Sequence, residues 1–211
     1  MRSYSKRSKA SNALPQNRLG VILGSNPTLP VDLVARLGDS KYRATLFVPE
    51  EHAANAASFV DSRWTVVAQP ERTTNDRLRA AFAELLRTPG DRTVIVTANS
   101  PDVPLPYLKR AFQRLKHRDV VIGPAFGGGW YLLGARATGP FLSDVDWESA
   151  AALELALAII EREHLTLSLL PPWYVANDAR SQQFFATLSR ARGIARRGSS
   201  RRGERATPSE K

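Results

Sequence analysis

Four short segments of this chain hold the residues whose types and spacing could do chemistry. Thr97-Ala98-Asn99-Ser100-Pro101-Asp102-Val103-Pro104 brings an amide, a hydroxyl and a carboxylate close together, and Val175-Ala176-Asn177-Asp178 adds a second amide and carboxylate. Gly127-Gly128-Gly129 leaves consecutive backbone N–H groups bare, which either admits a sugar or phosphate at close range or simply makes a flexible loop. Gly24-Ser25-Asn26-Pro27 is small enough to approach a phosphate, yet it is no Walker or dinucleotide fingerprint and reads first as a turn. Asp102 and Asp178 are the candidate catalytic carboxylates. Each also has a simpler role, capping the helix that follows it: one starting near Pro104 for Asp102, the last helix for Asp178. Ser100 lacks the G-x-S-x-G context of a hydrolase nucleophile. His52, His117 and His164 lie on separate elements with no short metal-ligand spacing, and the absence of cysteine excludes thiolate sites. Trp130, Tyr131, Trp147 and Trp173 read as core aromatics before ligand platforms.

The elements that must position these loops alternate in type. Leu19–Leu23, Ala44–Val48, Trp64–Ala68, Thr93–Thr97, Asp119–Gly123, Trp130–Gly134 and Leu165–Leu170 read as buried strands. Helical periodicity fills Val31–Leu37, Glu51–Val60, Asn75–Arg87, Leu105–Lys116, Glu148–Glu163 and a final stretch from Asp178 to Arg190. Pro49 and Pro104 fall where helices should begin. Strand–helix units of this length predict an α/β fold, a single domain with a mainly parallel sheet sandwiched by helices. Ligand crevices in such sheets lie beyond the carboxyl ends of the strands, where the four segments fall.

The Thr97–Pro104 segment resembles the Thr-Asp-Ser-Pro-Asp-Leu-Pro run of a bacterial GT-A family of glycosyltransferase-like proteins, which includes arsenosugar-biosynthesis transferases. Asp119–Gly134 (DVVIGPAFGGGWYLLG) resembles that family's Asp-Val-Val-Leu-Gly-Pro-Ala-x-Asp-Gly-Gly-Tyr-Tyr-Leu-Ile-Gly block. Leu170-Pro171-Pro172-Trp173-Tyr174 is similar to the run before its Asp-Val-Asp-Thr motif. The resemblance spans about Asn75 to Phe185 and implies a nucleotide-diphospho-sugar transferase-like fold with a nucleotide or nucleotide-sugar as ligand. It also matches Arg77 to an arginine opening the family's third helix, where it either contacts substrate or pairs with Asp76 or Glu84.

The departures from that pattern concern charge. The resemblance implies an aspartate at the end of the fourth strand that holds a divalent metal, and Asn99 stands there. The family's Asp-Gly-Gly is Gly127-Gly128-Gly129, and its Asp-Val-Asp is Val175-Ala176-Asn177. Mg²⁺ and Mn²⁺ favour oxygen ligands with compensating negative charge, so either is expected to bind weakly, and no metal ligand is assigned. The family's opening lysine-rich phosphate segment is replaced by Gly24–Leu29, with no cation until Arg36. The resemblance therefore leads to a crevice lined by Asn99, Ser100, Gly127, Gly128, Gly129 and Asn177 that binds a nucleotide or nucleotide-sugar with impaired catalysis.

Composition supplies one further class. The net charge is +10, yet residues 1–18 hold five cations and no acid, and residues 190–211 hold eight cations against two acids. Both ends are expected to be disordered basic tails flanking a domain at 19–189, which carries −1. Such arms either solubilise or attract nucleic acid and anionic membrane surfaces in a salt-sensitive way. Three functions follow: a GT-A-like binding protein, an active glycosyl- or nucleotidyltransferase that needs no tightly held metal, or an accessory protein acting through its tails. The protein partner is left open. No export signal or membrane span is predicted, and the expected location is cytoplasmic.

Overall fold

A computed structural model describes residues 16–23, 30–38, 42–69, 73–126 and 128–176, together with residues 180, 181, 183, 187 and 190. Seven strands form one sheet: β1 (Asn17–Ile22), β2 (Arg43–Val48), β3 (Trp64–Ala68), β4 (Arg92–Thr97), β5 (Val120–Pro124), β6 (Trp130–Ala135) and β7 (Leu167–Leu169). Their spatial order is β3-β2-β1-β4-β6-β5-β7. All run parallel except β6, which is antiparallel to both β4 and β5.

The runs of β-branched and aliphatic residues make strands buried on both faces. Leu19, Val21, Ala44, Leu46, Val94 and Val96 point into one core, and Ile22, Phe47 and Ile95 into the other. The first core is covered by α1 (Val31–Gly38), α2 (Ala53–Phe59) and α4 (Leu105–Arg114), the second by α3 (Thr74–Leu85), α5 (Pro140–Ser143) and α6 (Ala152–Arg162). The chain thus winds from β1 outward through β2 to β3 over one face. It then returns through α3 over the other face to place β4 beside β1. That reversal makes the carboxyl ends of β1 and β4 the topological switch point.

The mainly parallel α/β architecture is as the sequence predicts, with local corrections. β1 begins at Asn17, so Asn17 and Arg18 belong to the sheet and not to a tail ending at residue 18. Buried Asp91 accepts from the Gln16 N–H at 2.8 Å and pairs with Arg18 at 3.3 Å, while the Asn17 amide oxygen accepts from Arg92 Nε at 2.7 Å. α6 starts at Ala152 instead of Glu148. The Asp146 carboxylate accepts the Glu148 N–H and the Ser149 hydroxyl accepts the Ala151 N–H, each at 3.1 Å, so these side chains compete with a helical start. α5, four residues opened by Pro140, is too short to show periodicity. Of the expected final helix, Arg180, Ser181, Gln183, Thr187 and Arg190 are helical and the remainder lies outside the described residues, as do most of the two expected tails. Among the described residues no helix is long and apolar enough to cross a membrane.

Candidate functional site

Three loops at the carboxyl edge are knitted together by main-chain bonds. Ala98 N–H donates to Ile22 O at 2.9 Å, which fastens the end of β4 to the end of β1. Ala176 N–H donates to Asn99 O at 2.7 Å, while Trp173 N–H reaches Pro124 O at 3.0 Å and Phe126 N–H reaches Trp173 O at 2.9 Å. The segments after β4, β5 and β7 therefore converge, as their positions in the sequence imply. The loop after β1, Gly24–Leu29, lies outside the described residues, and so do Gly127, Asn177 and Asp178.

The remaining sequence-predicted residues take different parts. Asn99 is half-buried at the end of β4. Ser100 does not present its hydroxyl to the crevice: it is fully buried, and Oγ donates to Tyr174 O at 2.9 Å, tying two loops together. Asp102 is no helix cap, because α4 opens after Pro104 without a side-chain cap. Its carboxylate is buried instead and accepts the Trp173 indole N–H at 3.3 Å. Gly128 and Gly129 both have positive φ, +97° and +74°. A Cβ on Gly128 would stand 2.8 Å from Ala150 O, whereas one on Gly129 would meet nothing within 4 Å, so Gly129 is the more open of these two. Beside it Phe126 is 68% exposed, a large apolar side chain that the sequence reading passed over although it sits among glycines and alanines.

Beneath the loops lies an aromatic layer. Tyr107 stands edge-on to Trp173 at 5.8 Å and 6.3 Å from Tyr131. Burial, reinforced by the nearby Tyr107, pushes the Tyr131 hydroxyl far above the ordinary tyrosine range. It stays protonated and donates to Pro171 O at 3.0 Å. Trp130, Trp147 and Tyr131 are core residues, as their type suggests. Among the described residues no three His, Asp or Glu side chains converge. Among the described residues of these loops, Asn99 brings no charge and the Asp102 carboxylate accepts an indole N–H, fewer charged oxygens than a resident divalent cation usually takes.

The cations near the switch point divide sharply. Arg36, first after the Gly24–Leu29 loop, spends Nη1 on Pro101 O at 3.0 Å and Nη2 on Val103 O at 3.1 Å, so it holds the β4 loop and offers little to a phosphate. Arg77 is the opposite case. It lies in the first turns of α3, capped by Thr73, whose hydroxyl accepts the Asp76 N–H. The next residue, Leu78, packs in the same core as Ile22, the last residue of β1. Both partners open to Arg77 on the helix surface are taken: Asp76 pairs with Arg79 at 3.6 Å, and Glu84 pairs with Arg87. Arg77 Nε and Nη1 are buried and unpartnered. Nearby, Gln69 donates through Nε2 to Leu23 O at 3.3 Å while its Oε1 is buried without a partner. Gln69 carries no pattern that sequence reading could have detected.

Residues 33–149 match the profile of a family described as an uncharacterized protein conserved in bacteria, DUF2064, over more than half of the chain. The chain belongs to the DUF2064 family. Solved structures extend the comparison for this DUF2064 member. A proposed nucleotide-diphospho-sugar transferase of Desulfovibrio desulfuricans G20 is 18% identical, with a TM-score of 0.66 over 77% of this chain and 82% of that one. The 4-diphosphocytidyl-2C-methyl-D-erythritol synthase of Anaerococcus prevotii gives 7% identity and a TM-score of 0.57 over 82% and 96%. A proposed glucose-1-phosphate thymidylyltransferase of Bacillus anthracis, in complex with sucrose, gives 16% and 0.54 over 82% and 95%. No curated protein matches the chain. At these identities the likeness establishes a nucleotide-diphospho-sugar transferase-like fold, consistent with the GT-A resemblance of the motifs.

Proposed function

We propose that this DUF2064 protein binds a nucleotide or nucleotide-sugar at the carboxyl ends of β1 and β4, with Arg77 supplying positive charge to its phosphates. The observation that carries this is the pair of buried, unpartnered guanidinium nitrogens of half-buried Arg77, Nε and Nη1, since burying polar groups of a charged side chain without partners is costly unless a ligand completes them. The open Gly129 backbone and exposed Phe126 border the same edge. Ordinary metal-dependent transfer is impaired on this reading. Asn99, Gly127–Gly129 and Val175–Asn177 stand where the resembling family has acids, and the electrostatic stabilisation of a departing diphosphate falls to neutral donors and one arginine.

The test is a thermal-shift screen of nucleotides and nucleotide-sugars with Mn²⁺, with Mg²⁺ and with chelator. A ligand at a hundred times its dissociation constant adds about 2.7 kcal/mol, equivalent to roughly 5–10 °C in a chain this size. A shift indifferent to metal and lost in Arg77→Gln is expected. A shift that demands metal would restore a metal-dependent site, and no shift with any ligand would sink the reading. The same guanidinium favours a second reading, metal-independent transfer, in which Arg77 steadies the leaving diphosphate. Product formed from a nucleotide-sugar in chelator distinguishes that case from binding alone.

A further inference from the structure

The near-neutral body charge conceals a strong local asymmetry. Between Lys109 and Arg118, α4 and the turn after it carry Lys109, Arg110, Arg114, Lys116 and Arg118 with no acid, and all five are exposed. None of them takes part in an ion pair among the described residues. The acid that follows, Asp119, accepts from the Thr166 hydroxyl and N–H, which with smaller contributions from Arg136 and Arg118 hold its carboxyl below the usual range. Arg110, Gln113, Arg114, His117 and Arg118 line an open groove of about 440 Å³. Arg110 and Arg114 are one helical turn apart, and His117 and Arg118 continue the row past the helix end.

This groove lies on the outer face of α4. α4 leaves the carboxyl edge after β4 and runs back to the amino edge, where β5 begins at Val120. Phe112 on its buried face stacks at 4.2 Å on Tyr42, just before β2, which anchors the helix over the amino edge. The chain enters β1 at that same edge, and the fifteen residues before Gln16 add Arg2, Lys6, Arg7 and Lys9 without an acid.

We propose that the α4 groove binds the phosphodiester backbone of a nucleic acid. Charge complementarity sets the sign of the partner, and the guanidiniums set its chemistry: they grip phosphate through paired N–H groups, where a lysine offers only a point charge. A row of three arginines in a concave groove follows a strand of successive phosphates better than it follows a flat bilayer. No large apolar side chain is exposed between Lys109 and Arg118 to enter a membrane. With no exposed Phe, Tyr or Trp there to stack on successive bases, the contact is to the backbone and largely independent of sequence.

The experiment titrates the full chain against a labelled duplex of about twenty base pairs over a range of salt, beside vesicles rich in phosphatidylserine. Each phosphate neutralised contributes about 0.9 to the slope of log K against log salt, so Arg110→Gln/Arg114→Gln/Arg118→Gln together should lower it by about 3. The triple variant should melt like the parent and keep any nucleotide-dependent shift, because these side chains are exposed, make no ion pair among the described residues and are not among those assigned to the crevice. The charge-keeping triple lysine variant should retain most of the slope. An unchanged slope in the glutamine variant would assign binding to the terminal cations and overturn the proposal. No duplex binding, or vesicle binding that depends on the same three arginines while the duplex binds weakly, would overturn it as well.

Discussion

Replacing Arg77 with methionine should make this protein more stable. Methionine keeps an unbranched stem for packing on α3 and removes the guanidinium whose Nε and Nη1 are buried without partners. An unsatisfied buried polar group costs about 1–3 kcal/mol, and more when charged. Arg77 as a whole is only half-buried, so solvent screening brings the expected gain down to roughly 1–2 kcal/mol. For a chain of this size that is a rise of about 2–8 °C in melting temperature without ligand. Differential scanning calorimetry on the wild type and variant measures it, with Arg79→Met as control. Arg79 is exposed and already paired with Asp76, so its loss should change stability by less than about 0.5 kcal/mol. The gain at Arg77 should come with loss of the ligand-dependent shift, the trade expected where a strained group is kept for binding. A variant that melts below the wild type and still binds nucleotide would refute the reasoning, since the guanidinium would then be an ordinary structural element.

Two other perturbations separate local causes. Gly128→Ala should destabilise more than Gly129→Ala: both pay for a positive φ, about 1 kcal/mol, but only Gly128 also drives a Cβ against Ala150 O at 2.8 Å. Equal melting temperatures for the pair would contradict this. At Asp91, burial alone would raise the carboxyl, but bonds from the Gln16 N–H and the Thr88 hydroxyl and N–H, with Arg18 adjacent, hold it below the usual range. Its stabilisation is therefore full above the unfolded carboxylate value near ~4 and is lost as pH falls through the lower folded value. Asp91→Asn should cost about 1–3 kcal/mol at neutral pH and shrink the difference from wild type on acidification; a constant difference across pH would count against the assignment.

The strands were legible because they are buried on both faces: runs such as Thr93–Thr97 have no other use for so many aliphatic residues. The site was legible only as a set of loops. That the segments after β4, β5 and β7 would converge follows from strand ends meeting at one edge, which is topology and can be read from element order. What Ser100 and Asp102 do could not be read, because their hydrogen bonds run to Tyr174 and Trp173, more than seventy positions away. Arg77 was open between substrate and surface pairing, and the choice depended on which neighbours Asp76 and Glu84 had already taken. The α4 cations were hidden by averaging: summed over 19–189 the charge nearly cancels, whereas a ten-residue window would have exposed them.

The reversed strand β6 also bears on the order in which the molecule is built. β4 and β5 never touch directly in the sheet; each pairs with β6, which lies between them and follows both in the chain. During synthesis β1 to β4 can close into a four-stranded unit as soon as Thr97 has emerged, since those pairings need nothing downstream. β5 then waits without a neighbour until β6 returns between it and β4, and β7, made last, adds to the free edge of β5. The segments that carry Phe126 and Trp173 are thus the last part of this edge to be ordered. A nascent chain from which only the residues up to Pro104 had emerged would hold Arg77 and Asn99 in a finished half-sheet with nothing opposite.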